Sequence, residues 1–349
     1  MPTTSNKNLI YKKVPTGLPV AGEHLVIEDR PIDLDAPAPA GGLVVKVLSA
    51  SFDPYLRGRM RDPSVKSYSP PFNLDEPILN DTIGKVIKSD HSDFKEGDLV
   101  VAFGAIAEYS VIPNSFAPRV RKINNPNNLE LSYFLGPLGM PGLTAFSAFY
   151  KIGEPKRGET IFISSAAGAV GQVVGQLAKH EGLKVIGSVG SDEKLDFLTK
   201  ELGFDGGFNY KKEKPSDALP RLAPDGVDIY FENVGGEHLE AALTAMNIHG
   251  RIIFCGLISD YNTPAEKRFG VKGLFNFISK RLKGEGFLVG EIGPPYAKDH
   301  QQKVQAWLAD GTFKAKIHTT EGIDRAAEGL IGILKGDNFG KAVLKIADE

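Results

Sequence analysis

The chain has 349 residues, 42% of them apolar and 24% charged, with a formal net charge of -2 and a single cysteine, Cys255. That length suits two domains, because single cores seldom grow past roughly 250–300 residues, and the near-neutral charge argues against nucleic acid or an anionic membrane surface as a partner. One cysteine excludes an intrachain disulfide and a four-cysteine zinc site, and no stretch reaches the roughly 20 apolar residues of a membrane span.

The opening MPTTSNKNLIYKKVPTG holds no apolar run of signal-peptide length, so a cytoplasmic protein is expected. Up to about residue 136 the texture is short apolar runs, prolines and turns. VVKVLSASFD, TIGKVIKSD, DLVVAFG and AEYSVIP are expected to be strands, which makes this part mostly β. Residues 61–77, RDPSVKSYSPPFNLDEP, carry four prolines and no periodicity, the signature of a long loop. Its apolar members Tyr68, Pro70, Pro71 and Phe72 are candidates for covering a substrate.

From about residue 138 strands alternate with helices. IFIS (161–164) is a buried strand, and Val170, Val173, Val174, Leu177 and Ala178 follow at helical spacing. KVIGSV (184–189) is the next strand, followed by a helix over 191–203 that Gly203 closes. GVDIYFENVGG, GRIIFCG (250–256) and GEGFLVG (284–290) supply further strands. This alternation implies a doubly wound parallel sheet. The tail holds a helix ending near Gly336 and a strand over 341–347. It is expected to rejoin the N-terminal domain, giving units of 1–137 with 310–349, and 138–309.

Ala166-x-Gly168-x-x-Gly171 directly follows a strand and opens a helix. Glycines there allow a tight turn and close backbone approach to a pyrophosphate, while the helix start offers free N–H groups. The same small residues would also serve helix packing alone. An NAD site usually has Asp or Glu roughly 20 residues after the first glycine. Here the second strand ends on Gly187 and Ser188, leaving room for a 2′-phosphate that Lys194 can approach. Asn233 follows the third strand at its carboxyl end, where such sheets bind ligands, though turn asparagines beside glycines are common. Cys255 is expected to be a buried small apolar residue.

The first half offers no cysteine for a catalytic zinc, and the seven histidines show no ligand spacing. Neither a G-x-S-x-G elbow nor a P-loop is present. Hydride chemistry without a metal needs another electrophilic group, and a tyrosine hydroxyl can serve. Tyr55, Tyr68 and Tyr261 are the candidates, each equally compatible with an ordinary half-buried tyrosine.

FDPYLRGRM, GMPGLTA, AAGAVGQVVGQLAK, GSDEKLDFL, FNYK, ENVGG, CGLISDYN and KGDNFGK occur in this order. With them the chain resembles the zinc-independent medium-chain dehydrogenases/reductases, specifically the NADP-dependent alkenal/enone double-bond reductases and prostaglandin reductases. The resemblance implies an α/β fold, with a Rossmann doubly wound parallel sheet plus a GroES-like mostly-β domain, in a homodimer. It implies NADPH as cofactor and enones or enals as substrates. It places Lys194 and Tyr210 on the adenosine 2′-phosphate, and Gly168, Ala169, Val170 and Gly171 along the pyrophosphate. Asn233, Cys255, Gly256, Leu257, Ile258, Ser259, Tyr261, Phe287, Leu288, Val289 and Asn338 would contact the rest of the cofactor, with Met140 and Thr144 near the nicotinamide. Tyr55, Tyr68 and Tyr261 would face the substrate. Family members commonly carry a catalytic tyrosine in the helix before the FLV strand, and counting back from Phe287 puts Ser279 there. The role would then fall to Ser279 itself, to Tyr55, to the cofactor ribose or to water. Quinone reduction on the same scaffold, or NADPH binding without catalysis, are the alternatives.

Overall fold

Most apolar runs bounded by turn residues become strands in the computed structural model, which describes residues 3–349. Two compact units result: residues 1–135 together with 317–349, and residues 136–316.

The first unit begins with β1 (Lys7–Tyr11), β2 (Leu25–Asp29) and β3 (Leu43–Ser51), then a single helical turn, α1 (Leu56–Arg59). β4 (Glu76–Pro77), β5 (Leu79–Ser89), β6 (Leu99–Ala105), β7 (Tyr109–Ile112) and β8 (Arg121–Lys122) follow. The loop before β4 differs from expectation. Phe72 is not a cover; it lies in the core, with its ring 4.0 Å beneath the Arg59 guanidinium. Arg59 also donates to the Pro70 carbonyl, so the base of the loop is pinned, whereas Tyr68 stands 65% exposed at its tip.

The second unit opens with α2 (Met140–Ala148), then β9 (Thr160–Ile163), α3 (Gly171–His180), β10 (Lys184–Val189) and α4 (Asp192–Asp196). α4 starts on Ser191, whose hydroxyl accepts the Lys194 N–H, and its C-terminal extension stops at Gly203 with φ +71°. β11 (Gly206–Asn209), α5 (Pro215–Leu222), β12 (Val227–Glu232), α6 (Gly236–Ala245) and β13 (Met246–Phe254) come next. The unit ends with α7 (Phe275–Ser279), β14 (Lys283–Gly286), α8 (Val289–Ile292) and α9 (Ala297–Ala309). All six strands are parallel, in the order β11-β10-β9-β12-β13-β14, the doubly wound arrangement. The last strand is shorter than 284–290: it ends at Gly286, and Phe287–Val289 turn into a helix.

Residues 310–316 belong to this second unit, not to the tail. Phe313 packs on Trp307 and His180, while the Gln176 and Gln172 side chains hydrogen-bond the backbone of Lys314 and Lys316. The chain then returns to the first unit with β15 (Ile317–Glu321), α10 (Ala326–Lys335) and β16 (Lys341–Lys345). The main sheet there runs β15-β16-β3-β5-β6-β8, with β7 beside β3. No described helix is long and apolar enough to cross a membrane.

Candidate functional site

In the second unit the candidate cofactor residues fall at one end of the sheet. They follow β9 (166–171), β10 (190–194), β11 (Tyr210), β12 (Asn233), β13 (255–261) and β14 (287–289). All are carboxyl ends of parallel strands, where this architecture binds ligands.

The turn after β9 is built for close approach. Ser165 adopts a left-handed φ of 51°, uncommon for a residue with a side chain. A Cβ on Gly171 would lie 2.5 Å from the Ser165 carbonyl and 2.7 Å from the Ala166 backbone, so glycine is required. Gly168 is less crowded, with its nearest neighbour at 3.0 Å. α3 is tied to this turn, with Gln172 N–H donating to the Gly168 carbonyl and Val173 and Val174 N–H to that of Val170.

At the end of β10, Gly190 leaves space that the Tyr210 hydroxyl fills, 2.9 Å from where a Cβ would stand. Tyr210 is 41% exposed. Asp192, in the first turn of α4, is already engaged: it accepts from Asn209, and its other oxygen pairs with Lys212. The Asn209 hydrogen bond and then the Lys212 charge hold its carboxyl below the usual range.

Asn233 donates its side-chain amide to the Ser164 carbonyl at 2.8 Å and its N–H to the Ser164 hydroxyl at 2.9 Å. Segment 255–261 is stitched to the same turn, Ile258 N–H donating to the Asn233 carbonyl and Ser259 N–H to that of Val234. A Cβ on Gly256 would meet the Tyr261 hydroxyl at 3.1 Å and the Asn233 carbonyl at 3.5 Å. Tyr261 is therefore brought to the carboxyl ends of β12 and β13. Cys255 is half-buried, its thiol pushed up to about 12 by desolvation and then by Glu232, which makes it inert. Met140 opens α2, and Thr144 is buried with its hydroxyl on the Met140 carbonyl.

Ser279 is corrected. It ends α7, is exposed, and precedes β14. Its neighbour Lys280 accepts from His249 N–H, just ahead of the Arg251–Lys283 pairing at which β13 and β14 begin. That is the amino end of the sheet, opposite the ligand end. Counting back along the sequence did not register that the chain crosses the whole sheet between 279 and 287.

In the first unit Tyr55 donates its hydroxyl to Asn80 Oδ1 at 2.6 Å. Asn80 spends its amide hydrogens on the Ser51 carbonyl, at 2.7 Å, and on Asp53, at 2.9 Å, so its oxygen must face Tyr55. Asp53 in turn accepts from Lys341 at 2.9 Å, both buried. Burial, then Asp53 and Asp81, push the Tyr55 hydroxyl up. Its single proton is already committed. Asn338, in the same unit, donates to the Gly340 carbonyl and closes the turn before β16.

Residues 7–120 match the family described as the N-terminal domain of oxidoreductase, and residues 169–308 the one described as zinc-binding dehydrogenase. NADP-dependent oxidoreductase RED1 of Cochliobolus heterostrophus is 53% identical over 98% of both chains. A tobacco NADP(+)-dependent 2-alkenal reductase is 42% identical, over 99% of this chain and 98% of its own. The crystal structure of CurA from Vibrio vulnificus in complex with NADPH superposes with a TM-score of 0.90 at 33% identity, covering 98% of this chain and 100% of that one. The chain belongs to the zinc-independent medium-chain dehydrogenase/reductase family. It is an NADP-dependent oxidoreductase of that family. Zinc does not fit: among the described residues no group of three or more His, Cys, Asp or Glu is placed to hold a metal.

Proposed function

We propose that this chain reduces the C=C bond of α,β-unsaturated aldehydes and ketones. The observation that carries the reading is the Tyr261 hydroxyl at the carboxyl ends of β12 and β13, beside Asn233, with no metal-ligand cluster among the described residues. NADPH, when bound, supplies a hydride to the substrate's β-carbon. The carbonyl oxygen then gains enolate charge, and Tyr261 donates its O–H to that oxygen. A donor aimed at developing charge is commonly the largest catalytic contribution. The α-carbon takes its proton from water or a hydroxyl, completing addition of two hydrogens. Lys194, Tyr210 and the Ser165–Gly171 turn hold the adenosine phosphates. The tobacco relative, named a 2-alkenal reductase, supports the same chemistry.

Matched panels of enones and quinones, assayed by NADPH absorbance, test the reading. Higher kcat/KM on enones is expected. Preference for quinones would replace it with quinone reduction on the same fold, and NADPH binding without turnover of either would make the chain a non-catalytic binder.

The proposed homodimer is supported by an open sheet edge. β14 borders no further strand, and the adjoining α7 region exposes Leu274, Phe275 and Ile278 at 58%, 71% and 72%. Light scattering is expected to give about twice the 37.7 kDa chain mass; the monomer mass would contradict it.

A further inference from the structure

The turns after β9, β12 and β13 meet at one side chain that the sequence reading passed over, Glu232. It is the last residue of β12 and is fully buried. Its Oε1 accepts three hydrogen bonds: from Val234 N–H at 2.6 Å, Gly235 N–H at 2.9 Å and the Ser164 hydroxyl at 3.1 Å. That hydroxyl accepts from Asn233 N–H and from the Tyr230 hydroxyl at 3.2 Å, and of its two acceptors the Glu232 oxygen at 3.1 Å is nearer than the Phe231 carbonyl at 3.5 Å, so its proton goes to Glu232. The main-chain carbonyl of Glu232 accepts from Cys255 and Gly256 N–H. Its Oε2 is buried with no hydrogen-bond partner.

Burying a carboxyl is costly, and leaving one of its oxygens unpaired more so. A packed Leu or Val would suit the end of a central strand better if packing were the only demand. The acid earns its place by what Oε1 holds. Without it the Val234 and Gly235 N–H groups, which face inward, lose their acceptor, and Ser164 loses the bond that orients its hydroxyl toward Asn233. Asn233 and the 255–261 segment both hang from these groups, the latter through Ile258 and Ser259 N–H.

We propose that Glu232 is the positioning residue of the nicotinamide half of the cofactor site: through Oε1 it fixes Asn233 and the segment that carries Tyr261. This rests on the reading that residues 233–261 hold that half of NADPH. Glu232 touches neither cofactor nor substrate; it acts through Asn233 and Tyr261. Because the demand is for an acceptor oxygen, an amide in its place keeps the function. Burial drives the carboxyl up from its ordinary value, against the hydrogen bonds from Gly235 and Val234, which agrees with a group used as an acceptor rather than as a free charge.

The test compares two ligands on Glu232→Ala, Glu232→Gln and Ser164→Ala, each checked for folding by circular dichroism. NADPH spans the whole site; adenosine 2′,5′-bisphosphate fills only the adenosine half. For Glu232→Ala, NADPH affinity is expected to fall about tenfold or more, and affinity for the bisphosphate to change less than about twofold. Glu232→Gln is expected to restore NADPH affinity to within about threefold of the parent, and Ser164→Ala to show a smaller selective loss. Equal losses for both ligands, or none for NADPH in Glu232→Ala, would overturn the proposal. If Glu232→Ala does not fold, Ser164→Ala and Glu232→Gln decide: unchanged NADPH affinity in Ser164→Ala, or a loss in Glu232→Gln shared by both ligands, overturns it. Failure of the parent protein to bind the bisphosphate would instead overturn the underlying assignment of the adenosine half.

Discussion

Tyr261→Phe is expected to lower kcat for enone reduction about 100- to 1000-fold, the usual cost of losing one donor to a developing oxyanion. The substitution keeps the ring and removes only the O–H, so NADPH affinity is expected to stay within about twofold. Tyr55→Phe is expected to cost much less in kcat. Its proton sits on Asn80 at 2.6 Å, and Asn80 cannot turn its amide because both hydrogens are bound elsewhere. What Tyr55→Phe removes is a buried hydrogen bond, which shows as stability. Steady-state and single-turnover rates for the two variants distinguish the roles. A Tyr261→Phe enzyme with near-parental kcat, or a collapse confined to Tyr55→Phe, would reverse the assignment of the hydroxyls.

The largest expected loss of stability is for Lys341→Met. Lys341 Nζ donates to the Phe52 carbonyl at 2.6 Å and to Asp53 at 2.9 Å, and its side chain is only 1% exposed. Removing one partner of a buried ion pair costs on the order of 3–5 kcal/mol, because the remaining charge stays buried and uncompensated. In a unit of this size that is a fall in Tm of roughly 10 °C. The Asp53 carboxylate would keep its bonds from Ser51 and Asn80, so the double variant Asp53→Asn with Lys341→Met is expected to recover part of the loss. Denaturant unfolding measures both. An unchanged midpoint in the single variant would show that the pair contributes little. The same network holds Asn80, so Tyr55 is expected to loosen with it.

Much of this architecture is legible in the residue order, and the exceptions have physical reasons. β9, β10, β12 and β13 each carry a short apolar run, IFI, VIG, IYF and IIF, because both faces of a parallel sheet are covered. β14 is KGEG, an exposed edge strand with no apolar signature, so the neighbouring FLV drew the expected strand seven residues long and past its true end. The unit boundary near residue 310 was misplaced because Phe313, Lys314 and Lys316 are fixed by His180, Gln176 and Gln172, far earlier in the chain. The expected cofactor residues of the second unit lie together at the carboxyl ends of the strands because they follow strands in the sequence. Ser279 was misassigned, because counting along a chain carries no information about which end of the sheet a segment occupies. Glu232 and Asn80 were invisible for a related reason: the Ser164 partner of Glu232 lies 68 residues away and the partners of Asn80 lie 25–29 away, and only folding brings them together.

The central claim is that hydride reaches the β-carbon of a conjugated carbonyl. The most direct measurement uses NADPH deuterated at the transferable position with a small acyclic enone, followed by NMR of the product. The account predicts a saturated ketone with deuterium on the β-carbon and a solvent-exchangeable position at the α-carbon. An allylic alcohol bearing deuterium on the former carbonyl carbon would contradict it.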